Sequence, residues 1–211
     1  VVSALLEARS LTVGHQQPVL REIGLAVRPR EFVGLLGANG AGKSTLLMTL
    51  AGQLKPLGGD ARLDGRDVSR MPARDVARTL AYLPQQPGSD GDFLAQDVVE
   101  MGRHPYQQGW GLRRNPEDQA AVSHAMRVTG TEHLADQRMS RLSGGQQQRV
   151  RLAQAIAQQP RVLLLDEPTS WLDLRYQLEL MSLLRRLAVE EGVAIVAVLH
   201  DLNQAAQFCT R

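Results

Sequence analysis

Gly37-Ala38-Asn39-Gly40-Ala41-Gly42-Lys43-Ser44-Thr45 is the stretch from which the fold can be read. It fits the spacing G-x-x-x-x-G-K-[ST], a loop that wraps a phosphate chain when it joins a strand to a helix. Glycines let successive backbone N–H groups turn toward one anion where side chains would stand in the way. The apolar run 32–36 supplies the preceding strand, and residues 43–51, closed by Gly52, read as the following helix. That helix points its positive end at the same anion.

Outward from the loop, residues 5–13, 60–63 and 80–83 read as strands, and Asp64-Gly65 as a turn after the second. Residues 162–165 and 193–199 are wholly apolar, as strands buried on both faces are. Between these strand regions, 96–158 is mostly helical. A loop covers about 109–116 and a helix about 116–128. Residues 174–190 have helical periodicity, and Asp201 stands where a cap opens a last helix. The expectation is one α/β domain over 1–211. Its core is formed by about 1–90 and 160–211, and a helical insertion by about 91–159.

The chain has 211 residues, 43% of them hydrophobic, enough for a packed core. Cys209 is the only cysteine, so no internal disulfide forms, and it reads as a small residue near a chain end. No apolar run reaches the length of a membrane span. Val1-Val2-Ser3-Ala4 has neither an initiator Met nor a signal-peptide layout, and reads as the start of a trimmed cytosolic fragment. A net charge of +2 is too balanced for a nucleic-acid footprint. Lys43 and Lys55 are the only lysines in a chain otherwise served by arginine. A lysine directly after Gly42 marks a position that needs a compact ammonium.

These residue types define a chemistry. Lys43 neutralises the β- and γ-phosphates of a nucleoside triphosphate, and the Ser44 hydroxyl is a ligand for Mg²⁺. Val162-Leu163-Leu164-Leu165-Asp166-Glu167 puts two carboxylates at the C-terminal end of a buried strand, the edge where open α/β sheets bind ligands. Asp166 is a second metal ligand, direct or through water. Glu167 is the general base for an attacking water. His200 ends the next apolar run and emerges at the same edge; taken alone, it reads as a surface or cap histidine.

Leu142-Ser143-Gly144-Gly145-Gln146, between the loop and the Asp-Glu strand, resembles the signature sequence of the ABC ATPases. Chemically it is a second anion cradle at a helix start. The resemblance implies a P-loop NTPase core of ABC type with a helical insertion. It further implies that Ser143, Gly144, Gly145 and Gln146 cover ATP held by the 37–45 loop of a second copy, giving a head-to-tail homodimer. By the same resemblance Gln85 is the Q-loop glutamine that contacts Mg²⁺ and water, with the neighbouring Gln86 as the alternative. Ser170-Trp171-Leu172-Asp173 resembles the D-loop, and Asp173 joins the nucleotide-binding set. His200 resembles the switch histidine at the γ-phosphate. The family's adenine-stacking aromatic is replaced by His15, whose alternative is a plain loop histidine. The resemblance covers essentially the whole chain but stops just past His200, which implies that a C-terminal portion is missing.

Asp97-Val98-Val99-Glu100-Met101-Gly102-Arg103-His104-Pro105-Tyr106 and Leu199-His200-Asp201-Leu202-Asn203-Gln204-Ala205 resemble the ATPases of bacterial importers of iron-siderophores, haem or cobalamin. The implied partners are integral membrane permease subunits and, indirectly, a substrate-binding protein. The implied place is the cytoplasmic face of the bacterial inner membrane. The blander reading makes 97–106 an ordinary coupling-surface helix and turn. Two alternatives stand beside transport of such cargo: an ABC ATPase for another substrate, and a soluble one acting in repair, translation or iron–sulfur assembly. A third, a nucleotide-binding regulatory subunit without catalysis, is at odds with an intact Glu167. The basic-aromatic stretch 103–114, with Tyr106 and Trp110, reads as a solvated face and not as a nucleic-acid patch.

Overall fold

The computed structural model describes residues 3–85, 92–107, 115–170 and 172–211. Expectations resting on Val1, Val2, Gln86, Trp110, Trp171 and most of the 109–116 loop lie outside the described residues. Along the first half run β1 (Leu6–Gly14), β2 (Pro18–Val27), β3 (Phe32–Leu35), α1 (Lys43–Leu50), β4 (Gly58–Leu63), β5 (Arg66–Asp67), α2 (Ala73–Ala77) and β6 (Leu80–Leu83). Then come α3 (Ala95–Met101), α4 (Pro116–Thr129), α5 (Gly144–Ala157), β7 (Val162–Asp166), α6 (Leu174–Val189), β8 (Ala194–Val198) and α7 (Leu202–Phe208).

Two four-stranded sheets form, one antiparallel in the order β2-β1-β4-β5, the other parallel in the order β3-β8-β7-β6. The parallel sheet is buried on both faces, and its residues alternate between two hydrophobic clusters as period-two geometry requires. Phe32, Leu83, Leu163, Leu165 and Ile195 face one cluster, which also holds Val98 of α3, Val122 of α4, Leu152 of α5 and Leu184 of α6. Val33, Leu80, Leu164 and Val196 face the other, with Leu46, Leu47 and Leu50 of α1 and Leu6, Leu11 and Leu63 of the antiparallel sheet. This alternation positions the site. Asp166 falls on the same face as Leu164, the face that α1 covers.

The expected strands and helices are present with ends shifted by a residue or two. The sequence reading makes no provision for β2, however. Its alternation is broken at Glu22, which takes a positive φ of 52°, and by Gly24. The Asp64-Gly65 turn leads to the short β5, and the whole antiparallel sheet follows from these pairings. Cys209 packs against Gly34 of β3, a Cβ on which would lie 3.0 Å from its sulfur, and burial pushes its thiol up to about 11. Among the described residues, no helix is long and apolar enough to cross a membrane.

Candidate active site

The loop 37–45 joins the end of β3 to α1, and its shape is set by left-handed glycines, Gly40 at φ 77° and Gly42 at φ 86°. Gly42 is also sterically committed: a Cβ there would lie 2.7 Å from Cγ1 of Val19, at the start of β2. α4, α5, α6 and α7 are each capped by a side chain, from Asn115, Ser143, Asp173 and Asp201. α1, like the shorter α2 and α3, has no side-chain cap, and its N-cap is Gly42. Its first-turn N–H groups, which no helix can satisfy internally, therefore have no side-chain cap. The Lys43 ammonium folds over the loop and donates to the carbonyls of Gly37 and Ala38, each at 2.8 Å. An ammonium and a row of free N–H groups around one turn form an anion cradle.

Asp166 ends β7 on the α1 face and is 2% exposed. Burial is the main influence on it and pushes its carboxyl above the usual carboxylate range. The Ser44 hydroxyl pulls it back, the Glu167 charge raises it further, and Lys43 and Tyr82 lower it. Its Oδ1 is buried with no hydrogen-bond partner. A buried carboxylate oxygen without a partner is costly unless something outside the chain uses it. Beside it stand the Ser44 hydroxyl and the ammonium of Lys43. Among the described residues no group of three or more His, Cys, Asp or Glu forms a metal cage. One carboxylate with one hydroxyl is the donor set of an ion that brings most of its own ligands, which fits Mg²⁺ bound with phosphate oxygens and water.

The chain turns sharply after Asp166, and Glu167 takes φ 49°. Three side chains meet its carboxylate, two from the ends of other strands and one from its own loop. Gln85, after β6, donates from Nε2 to Oε2 at 2.5 Å. Ser170 donates from Oγ to the same oxygen at 3.1 Å. His200, after β8, brings Nε2 to 2.6 Å from Oε1. A carboxylate offers about four lone-pair sites, so three partners leave about one for a water.

The structure thus brings together loop 37–45, Gln85, Asp166, Glu167 and His200 at the C-terminal edge of the parallel sheet. Other expected site residues lie elsewhere. His15 is exposed in the turn between β1 and β2, the hairpin whose far strand begins at the Val19 contact. Asp173 caps α6, accepting from Tyr176 N at 3.0 Å. Ser143 and Gln146 form a reciprocal capping box at the head of α5, with bonds of 2.9 and 3.3 Å. Ser143 and Gly144 are exposed, and the side-chain bonds of this box stay within it, none reaching loop 37–45 of the same chain.

Two site contacts were not anticipated. Tyr82 of β6 stands against Asp166; burial first, and then the Asp166 charge, push its phenol up to about 12. Ser170 belongs to the stretch that resembles the D-loop but carries no role of its own there, although its hydroxyl donates to Glu167. A half-buried tyrosine needs a partner for its hydroxyl, which was the available signal for Tyr82. The β6–β7 pairing that identifies the partner is a long-range property.

A family model described as ABC transporter matches residues 20–170. The ferric enterobactin transport ATP-binding protein FepC of Escherichia coli (strain K12) is 41% identical over 208 residues, covering 98% of this chain and 76% of that protein. The hemin import ATP-binding protein HmuV of Bordetella pertussis (strain Tohama I) is 44% identical over 218 residues, covering 97% of this chain and 80% of that protein. The dimeric structure of MJ0796, a bacterial ABC transporter cassette, superposes with a TM-score of 0.84 at 27% identity, covering 95% of this chain and 90% of that one.

Proposed function

This chain belongs to the ABC transporter family, among its ATP-binding subunits, and we propose that it hydrolyses Mg-ATP to drive uptake of an iron complex, siderophore or haem, or of cobalamin, through a separate permease. The observation that carries the catalytic part is the meeting of three side chains on Glu167 beside an uncapped helix start and a buried, unpartnered Asp166 oxygen. The cargo class is supported by FepC and HmuV, named for ferric enterobactin and hemin.

Each residue then has a role. The N–H groups of loop 37–45 and the Lys43 ammonium hold the β- and γ-phosphates. Ser44 and Asp166 would hold Mg²⁺, with Gln85 beside them, and the ion when bound would supply positive charge to offset the phosphate oxygens. Glu167 accepts a proton from the attacking water while Gln85, Ser170 and His200 fix its carboxylate. His200 stands by to reach the γ-phosphate. A positioned base contributes about 10²–10⁴ in rate. His15 is proposed to lie against adenine.

The capping box at Ser143 supports a two-chain reading. Its exposed serine and glycine head a helix, and its two side chains each accept from the other's backbone N–H, so a phosphate held by a second copy is a suitable ligand. Two chains arranged head to tail would each lend Ser143–Gly144–Gly145–Gln146 to the other's ATP, with Asp173 near the seam. The same reading places the subunit as a peripheral protein on the cytoplasmic face of the bacterial inner membrane, with about 91–159 as the insertion that meets the permease.

Reconstitution tests this. With permease and binding protein in vesicles, ATP turnover should rise severalfold when an iron-siderophore, haem or cobalamin is supplied, and the Lys43→Ala subunit should show neither turnover nor uptake. Stimulation by an unrelated cargo alone would overturn the cargo class; undiminished turnover by Lys43→Ala would overturn the site.

A further inference from the structure

The stretch 102–106, Gly102-Arg103-His104-Pro105-Tyr106, lies outside the catalytic edge, yet it carries a side-chain network that ties four elements together. Arg103 is 5% exposed. Its Nε donates to Asp118 Oδ1 of α4 at 2.7 Å. Its Nη1 donates to the Ala157 carbonyl at the end of α5 at 2.7 Å, and to Gln159 Oε1 at 3.0 Å. The guanidinium lies 3.9 Å from the centroid of the Tyr106 ring. The Tyr106 hydroxyl in turn shares its proton between the Gln158 carbonyl at 3.0 Å and the Arg78 carbonyl at 3.3 Å. Gln158 donates to the carbonyls of Ala77 and, at 2.7 Å, Leu80. Arg74 and Arg78 both donate to the Pro105 carbonyl, at 2.8 and 2.9 Å. Gly102 completes the joint, since a Cβ there would lie 2.2 Å from the Gln154 carbonyl of α5.

The C-terminal carbonyls of α5, which no helix can satisfy internally, are thus taken by Arg103 and Tyr106 and tied to α2 and the start of β6. The other end of α5 carries Ser143. Fourteen residues span about 21 Å, so a tilt of about 10° at the joint displaces the serine end by about 4 Å, more than a hydrogen-bond length. We propose that Arg103 and Tyr106 are positioning residues that fix the direction of α5 on β6, and so aim Ser143 at ATP bound by a second copy. This rests on the two-chain reading above and names what sets its geometry. Neither residue touches the nucleotide edge of its own chain.

The test uses the intact protein in a Glu167→Gln background, which holds ATP without turnover. Two variants are compared with that parent. Tyr106→Phe removes only the hydroxyl bonds. Arg103→Lys keeps the charge but loses the planar fork and the stack. A fluorescent ATP analogue at dilute protein measures single-chain affinity, and sedimentation velocity over an ATP series measures dimerisation. The expected result is single-chain affinity within about twofold of the parent, with about tenfold more ATP needed for half-maximal dimer. A folded variant that dimerises at the parent's ATP concentration, even with a lowered Tm, overturns the proposal, as does loss of single-chain binding. If Arg103→Lys does not fold, Tyr106→Phe decides alone. A parent that forms no ATP-dependent dimer brings down the two-chain reading itself, and this inference with it.

Discussion

Asp166 shows how one residue can trade stability for chemistry. Burial holds its carboxyl above 3.8, and its Oδ1 has no partner in the chain. The charged form is therefore disfavoured in the folded state. That cost is absent below pH 3.8, grows as pH rises toward the raised folded value, and is complete above it. In buffer free of metal and nucleotide, Asp166→Asn should melt higher than the parent at pH 7. The gap should narrow as pH falls through that window. Thermal melts across the pH range check this; an Asn variant that melts lower at neutral pH contradicts it. Asp166 and Glu167 were legible in the sequence because an apolar run of strand length stops on two acids. Gln85 could be read only to within one residue and Tyr82 as a contact not at all, because sequence spacing does not report which atoms meet across separate strands; the Ser170 contact, three residues from Glu167, depends on the sharp turn that Glu167 makes at φ 49°.

At the scale of the element, α1 starts at a left-handed glycine with no side chain on its first N–H groups, and Gly42 is what shapes that end. A methyl group at Gly42 must adopt φ 86° and meets Val19 at 2.7 Å. The backbone conformation alone costs about 1–2 kcal/mol. Gly42→Ala should therefore lower Tm by about 2–8 °C, and ATP affinity should fall by about tenfold or more as the loop is displaced. A melt and an ATP titration measure the two effects, and a variant that binds ATP like the parent contradicts the role given to this turn. Most elements were legible where periodicity was strong, as in β7, β8, α4 and α6. β2 was not, because Glu22 at positive φ and Gly24 interrupt its alternation, and with it went the antiparallel sheet that sets Val19 against the loop.

At the scale of the molecule, the parallel sheet gathers Lys43, Asp166, Glu167, Gln85 and His200 on one edge, while one hydrophobic cluster runs from that sheet into α3, α4 and α5. These helices thus share their packing with the parallel sheet, yet α5 presents Ser143 and Gly144 at its head to solvent. Both glycine-containing helix starts, at 37–45 and at 143–146, were legible in the sequence. What spacing could not show is that the capping box of the second makes no side-chain bond to the first within the chain. The most direct measurement is a crystal structure of Glu167→Gln with Mg-ATP. It should hold two copies and two triphosphates, each gripped by Lys43 of one copy and met at the γ-phosphate by Ser143 of the partner subunit. A nucleotide bound by one copy alone under those conditions, with both Ser143 turns facing solvent, would contradict the account.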